Sequence, residues 1–160
     1  MDVDGRQLGS VRSAAPVAIV VTIAAWLLVC GTVALFAQES AQFVVVLHPS
    51  VEVESLTAKQ ISDLFLKKAT VWPDGSEVVA VDLPSDSPVR ASFSGAIHER
   101  RVSAVKSYWQ RQIFSGGAVP PPEKATEAEV VAFVRGRRGA IGYVSPSAAV
   151  DGLRLVRIRE

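Results

Sequence analysis

Ser85, Asp86 and Ser87 stand directly before Pro88 and Arg90, and this order of residue types suits capture of an oxyanion. Pro88 fits the first position of a helix with Ser87 as its N-cap. The hydroxyls of Ser85 and Ser87 would then sit beside backbone N–H groups at the positive end of the helix dipole. Arg90, one turn inside the helix, could add a two-pronged contact to a tetrahedral anion, and Asp86 could accept a hydrogen bond from a protonated phosphate. A plainer role competes, in which Ser87 caps the helix and Arg90 points to water. Ser85, Asp86, Ser87 and Arg90 are the candidate ligand-binding residues, with phosphate or a related oxyanion as the ligand.

Other chemistry finds less support. His48 and His98 are isolated, with no second His, Cys or paired carboxylate at ligand spacing, so no metal and no other cofactor is expected. The single Cys30 lies in an apolar block and offers the folded part no thiol. No serine has a nucleophile-elbow context, and no catalytic residue is assigned. A hydrolase would need a serine beside a base in a pocket; both histidines lying far from every serine hydroxyl would end that reading. Trp72, Tyr108, Trp109 and Tyr143 are read as core rather than as pocket walls.

Charge narrows the partners. The net charge is +1, from 17 Lys and Arg against 16 Asp and Glu, which provides no overall field for nucleic acid. Locally the balance differs: Arg135, Arg137, Arg138, Arg154, Arg157 and Arg159 face only Asp151 and Glu160 near the end of the chain. That stretch reads as a contact for anionic lipid or a partner, or as a solvated face beside a helix C-terminus. Gly136-Arg-Arg-Gly139 matches the glycine loop of an RNA-binding motif, but it joins a helix to a strand where that motif joins two helices.

The elements that must position these residues can be read from pattern. Residues 42–47, Gln-Phe-Val-Val-Val-Leu, form a continuous apolar run expected of a strand covered on both faces. Thr57-Ala-Lys-Gln60 has capping-box spacing before a helix over about 58–66. Trp72-Pro-Asp-Gly75 is a turn, and 77–83 is a second apolar strand. After Ser87, a helix presents Val89, Phe93 and Ile97 on one face, and another is marked by Val102, Val105, Tyr108, Trp109 and Ile113. Residues 114–122 are a loop rich in Gly and Pro. Thr126-Glu-Ala-Glu129 is a second capping box, opening a helix up to Gly136. Residues 139–144 form a strand whose two glycines imply close approach of another backbone. Leu153 to Ile158 looks like an edge strand with Leu153 and Leu155 inward and Arg154 outward. Strands alternating with helices predict an α/β fold with a mostly parallel sheet and helices on both faces.

Ahead of this domain, residues 14–37 carry no charge and as a helix would reach about 30 Å, the thickness of a bilayer core. They fit a retained transmembrane anchor, and a cleaved signal peptide competes. Arg6 and Arg12 precede the block and the first basic residue after it is Lys59, so the folded part is expected outside the inner membrane, in the periplasm of a bacterium. The organisation expected is a short cytoplasmic tail at 1–13, the apolar segment at 14–37 and one domain at 38–160.

Ile61-Ser-Asp-Leu-Phe-Leu-Lys67, Trp72-Pro-Asp-Gly75, Tyr108-Trp109 before Phe114-Ser-Gly-Gly117, and Gly139-Ala-Ile-Gly-Tyr-Val144 together resemble the phosphate-binding proteins of ABC importers, in the periplasmic-binding-protein-like superfamily. The resemblance runs from Phe43 to about Ala149. It implies a single lobe of a type II periplasmic-binding-protein-like fold, where those relatives have two lobes closing on the anion. In them a strand ends in Arg before a phosphate-binding Ser-Gly-Thr turn; aligned from Phe93, this chain has Leu83 for the Arg, then Ser87, Pro88 and Val89. Pro88 lacks an N–H and Val89 lacks a hydroxyl, so two donors are missing. The function implied is a non-catalytic solute-binding domain with weak phosphate or oxyanion binding, linked to ABC-type phosphate uptake or sensing. The alternative is a membrane-tethered periplasmic protein-interaction module that has lost the anion site.

Overall fold

The computed structural model describes residues 43–159; the expected tail at 1–13 and apolar segment at 14–37 lie outside them. Glu39–Glu160 is a compact unit by itself. Its elements in chain order are β1 (Val44–Leu47), β2 (Ser55–Thr57), α1 (Ala58–Phe65), β3 (Val79–Ala80), α2 (Pro88–His98), α3 (Val102–Phe114), α4 (Glu127–Gly136), β4 (Ala140–Val144) and β5 (Arg154–Arg159).

Local chemistry sets the helix starts. Thr57 accepts from the Gln60 N–H while Gln60 returns a bond to the Thr57 N–H, and Thr126 and Glu129 do the same at α4. Ser87 caps α2 with Pro88 at its first turn. Each cap satisfies a donor that the helix itself leaves unpaired. All three starts fall where the sequence placed them. In α3, however, Val105 and Trp109 are buried whereas Ile113 is exposed, so the inward stripe is shorter than the spacing suggests.

The sheet runs β2-β5-β1-β4-β3. It is mixed, which corrects the mostly parallel sheet expected. β1 is antiparallel to both of its neighbours, β4 and β5, whereas β2 with β5 and β3 with β4 are parallel. The continuous apolar run of β1 reports burial on both faces, and helices can cover an antiparallel strand as completely as a parallel one. Two further expectations are corrected. β5 lies between β2 and β1 instead of at the edge, and its phase is reversed: Val156, opposite Val45, is buried while Leu155 is 56% exposed. The second apolar strand shrinks to Val79–Ala80, continued by single bridges on either side.

Helices do cover both faces. On one, Tyr143 of β4 stacks on Phe93 of α2 at 3.8 Å between ring centroids, with Phe65 of α1 at 5.7 Å. On the other, Gly142 meets α4, where an added Cβ would lie 2.8 Å from a methyl of Val130 and 3.0 Å from one of Val134. At Gly139 the close approach is to backbone: a Cβ there would be 2.1 Å from the Glu77 carbonyl oxygen, and φ is +74°. The core runs from Val45 through Phe65, Phe93 and Val130 to Val156, so a domain beginning at Gln38 contains the strands, helices and core that hold it together.

Gly142→Ala is expected to destabilise the domain by about 1–3 kcal/mol through overpacking against α4. Urea unfolding measures it, and the Val130→Ala background should recover part of the loss because the two sites compete for one space. Additive losses would mean that α4 does not press on β4 at this point.

Candidate functional site

Ser85, Asp86 and Ser87 lie in the segment joining β3 to α2 and Arg90 in the first turn of α2, and the structure sends the four in different directions. Ser85 and Asp86 are exposed. Ser87 donates its backbone N–H to the Pro84 carbonyl at 3.0 Å, and its hydroxyl accepts from the Arg90 N–H at 3.3 Å. Arg90 turns inward and is 5% exposed.

The Arg90 guanidinium is met by two carboxylates and a carbonyl. One nitrogen lies 2.9 Å from the Asp82 carboxylate; the other donates to Glu123 and to the Leu83 carbonyl. Asp82 is held in turn by the Leu83 N–H at 3.0 Å and by the Tyr143 hydroxyl. Burial works against the Arg90 charge, but Asp82 and Glu123 outweigh it and its pKa rises. Burial pushes the Asp82 carboxyl up, opposed by Arg90, Tyr143 and the Leu83 N–H. Burial and the Asp82 charge both raise Tyr143, which keeps its hydroxyl a donor. A buried charge in such a cluster is tolerated because it is paired with an opposite charge and hydrogen-bonded.

Two open hollows flank the segment. Asp86 and Ser87 border one of about 540 Å³ that also touches Pro84, Thr126 and Glu127. Ser85 and Arg90 border another of about 270 Å³, with Trp109, Ile113, Pro120 and Glu123. The four residues therefore do not converge on one cavity. At the larger hollow the N-termini of α2 and α4 both open, which favours negative charge, but its charged lining residues are Asp86 and Glu127. Glu127 also accepts from the Ser145 N–H at 2.6 Å.

Asp82, Glu123 and Tyr143 were not among the candidate residues. The signal that could have found them is Asp82 itself, an acid inside the apolar run at 78–83 that must have a partner if it is buried.

The condition set for ending a hydrolase reading is not met. His98 Nδ1 lies 2.8 Å from the Ser62 hydroxyl, and His48 Nδ1 lies 2.8 Å from that of Ser50. Neither pair lines the two hollows above. Burial, with Arg100, Arg90 and Lys68 nearby, pulls His98 down to about 4, far from a general base poised near neutrality. The His48 contact spans two residues, within a turn where the Ser50 N–H also donates to the ring. Among the described residues no group of acidic, His and Cys side chains could hold a metal, and no helix is long and apolar enough to cross a membrane.

No protein-family model and no curated protein matches the chain. Solved structures do. An ABC-type phosphate transport receptor from Vibrio cholerae is similar at 16% identity and a TM-score of 0.58, covering 72% of this chain and 45% of its own. A putative phosphate ABC transporter substrate-binding protein with bound phosphate from Clostridium perfringens is similar at 22% identity and 0.58, covering 72% and 44%. A possible phosphate binding protein from Planctomyces limnophilus is similar at 14% and 0.56, covering 74% and 41%. The chain thus shares the fold of part of these proteins and spans less than half of their length.

Proposed function

We propose that this chain is an exported, non-catalytic single-lobe module of the solute-binding fold whose task is to bind a protein partner. Residues 14–37 would carry it across the inner membrane or tether it there. The observation that carries this reading is the state of Arg90. A guanidinium whose two terminal nitrogens are already engaged by Asp82, Glu123 and the Leu83 carbonyl is a weak anchor for an anion, because an incoming phosphate would meet the charges of Asp82 and Glu123. Pro88 and Val89 remove two more donors from the turn. A hydrophobic side chain is meanwhile offered to water nearby: Phe114, at the end of α3, is 90% exposed, beside the exposed Ile113 and ahead of the exposed Val119. Large apolar groups clustered in this way mark contact surfaces. The partner read from this chemistry presents an apolar face.

Phe114→Glu should abolish capture of that partner from envelope extracts while leaving the melting temperature unchanged. Capture that survives would move the contact elsewhere on the domain.

The second reading is weak phosphate or oxyanion binding at Ser85, Asp86, Ser87 and Arg90, serving ABC-type phosphate uptake or sensing. It is favoured by the two helix N-termini at the hollow lined by Asp86, Ser87 and Thr126. Calorimetry of the domain from Gln38 onward against phosphate and sulfate separates the two. The leading reading expects no heat and no thermal shift at millimolar anion; a signal that disappears in Ser87→Ala would establish the second.

A further inference from the structure

The six arginines near the end of the chain do not act as one patch. Arg135 donates to the Asp151 carbonyl at 2.7 Å, and Arg137 lies 4.8 Å over the Phe133 ring. Arg154, Arg157 and Arg159 are different: they follow one another along β5 and line an open groove of about 500 Å³ with Val53, Ser55 and Leu155. Glu54 is the one acidic side chain in that lining. Among the described residues no ion pair engages Arg154 or Arg157. Of its apolar members, Leu155 is presented to solvent at 56% exposure.

We infer that this groove docks on the headgroups of anionic phospholipids. Arginine forks suit phosphodiester oxygens, and the exposed Leu155 beside them adds the apolar contact that a headgroup and acyl boundary accepts. Topology points to the same occupant. Leu47 lies opposite Arg154 and Val45 opposite Val156, so Arg157 and Arg159 sit at the end of the sheet where β1 begins. Val44 follows Ala37, the end of the uncharged segment, by seven positions. If that segment is anchored, its tether cannot exceed about 25 Å, which keeps this end of the sheet near a lipid surface. The inference rests on the tethered reading for proximity alone; the chemistry of the groove stands without it.

The test uses the domain from Gln38 onward, so that vesicle binding owes nothing to residues 1–37. It is sedimented with vesicles of phosphatidylcholine alone, and with vesicles containing phosphatidylglycerol at about one third, a fraction chosen for a strong surface potential. Binding is expected with the anionic vesicles and not the neutral ones, falling steeply with salt. Replacing Arg154, Arg157 and Arg159 together with Gln should weaken it on the order of 100-fold. Glu54→Gln should tighten it about 5-fold, from removal of one like charge at the surface, and keeps the test decisive if the triple variant does not fold. Equal binding to both vesicle types, or no loss in the triple variant with no gain in Glu54→Gln, would overturn the inference. So would competition by millimolar inorganic phosphate, which would make the groove a site for free anion, or equal retention on heparin, which would make it a general polyanion surface.

Discussion

Arg90→Met is expected to destabilise the domain by about 3–5 kcal/mol, because it leaves the buried Asp82 carboxylate without its cation. For a domain of this size that is a fall of about 10–20 °C in melting temperature. The substitution keeps the aliphatic stem and removes the charge, so little of the loss comes from packing. Glu123→Gln should cost far less, about 1 kcal/mol or below, since the Glu123 side chain is 53% exposed and water replaces what it provides. The contrast separates two roles for the same arginine. A ligand-binding Arg90 would be dispensable for folding, and its loss would abolish anion binding while leaving the melting temperature in place. An Arg90 bound to Asp82, Glu123 and Leu83 gives the opposite pair of results. Thermal melts of both variants, read with calorimetry against phosphate, decide it; a stable Arg90→Met domain would restore the oxyanion reading.

Much of this was legible because it was local. The caps at Thr57, Ser87 and Thr126 are interactions over three residues, so type and spacing suffice to place them. Gly139 is legible as a residue type, since its positive φ favours glycine, although the Glu77 carbonyl it approaches is 62 positions away. What escaped depends on chain reversals far apart in sequence. Val45 has the same apolar neighbours in its own strand whether β4 runs with it or against it, so strand direction leaves no mark there. Leu155 and Val156 are both apolar, and pairing with Val45 decides which one turns inward. Arg90 illustrates the limit most sharply. Its position one turn inside a capped helix is readable, but whether it faces solvent, a ligand or a carboxylate depends on Asp82, which precedes it by eight positions, and on Glu123, which follows it by 33. The departures from the relatives' turn at Pro88 and Val89 pointed toward the same outcome before the cluster was visible.

His98 provides the second large effect, and its sign is fixed by burial. The ring packs edge-on against Phe93 at 5.4 Å between centroids and meets the Ser62 hydroxyl of α1. Burial, with the positive charges of Arg100, Arg90 and Lys68, pulls its folded pKa down to about 4 from 6.5. The unfolded chain therefore takes up a proton first as the pH falls. Stability is complete above the unfolded value of 6.5 and drains away between there and about 4, by about 2–3 kcal/mol. Two carboxyls held low, Asp63 chiefly by Lys59 and Asp74 by Ser76, release their contributions mainly below the ordinary value of 3.8 and interfere little in that window. His98→Gln can keep a hydrogen bond to Ser62 without a titrating charge. Urea unfolding at pH 7.5 and 4.5 should show the parent losing about 2–3 kcal/mol more than the variant, and any slope contributed by the Asp82 cluster, common to both proteins, cancels in the comparison. Parallel losses in the two proteins would mean that the His98 ring reaches water, and would reopen the Ser62 and His98 pair as a base and hydroxyl available for chemistry near neutral pH.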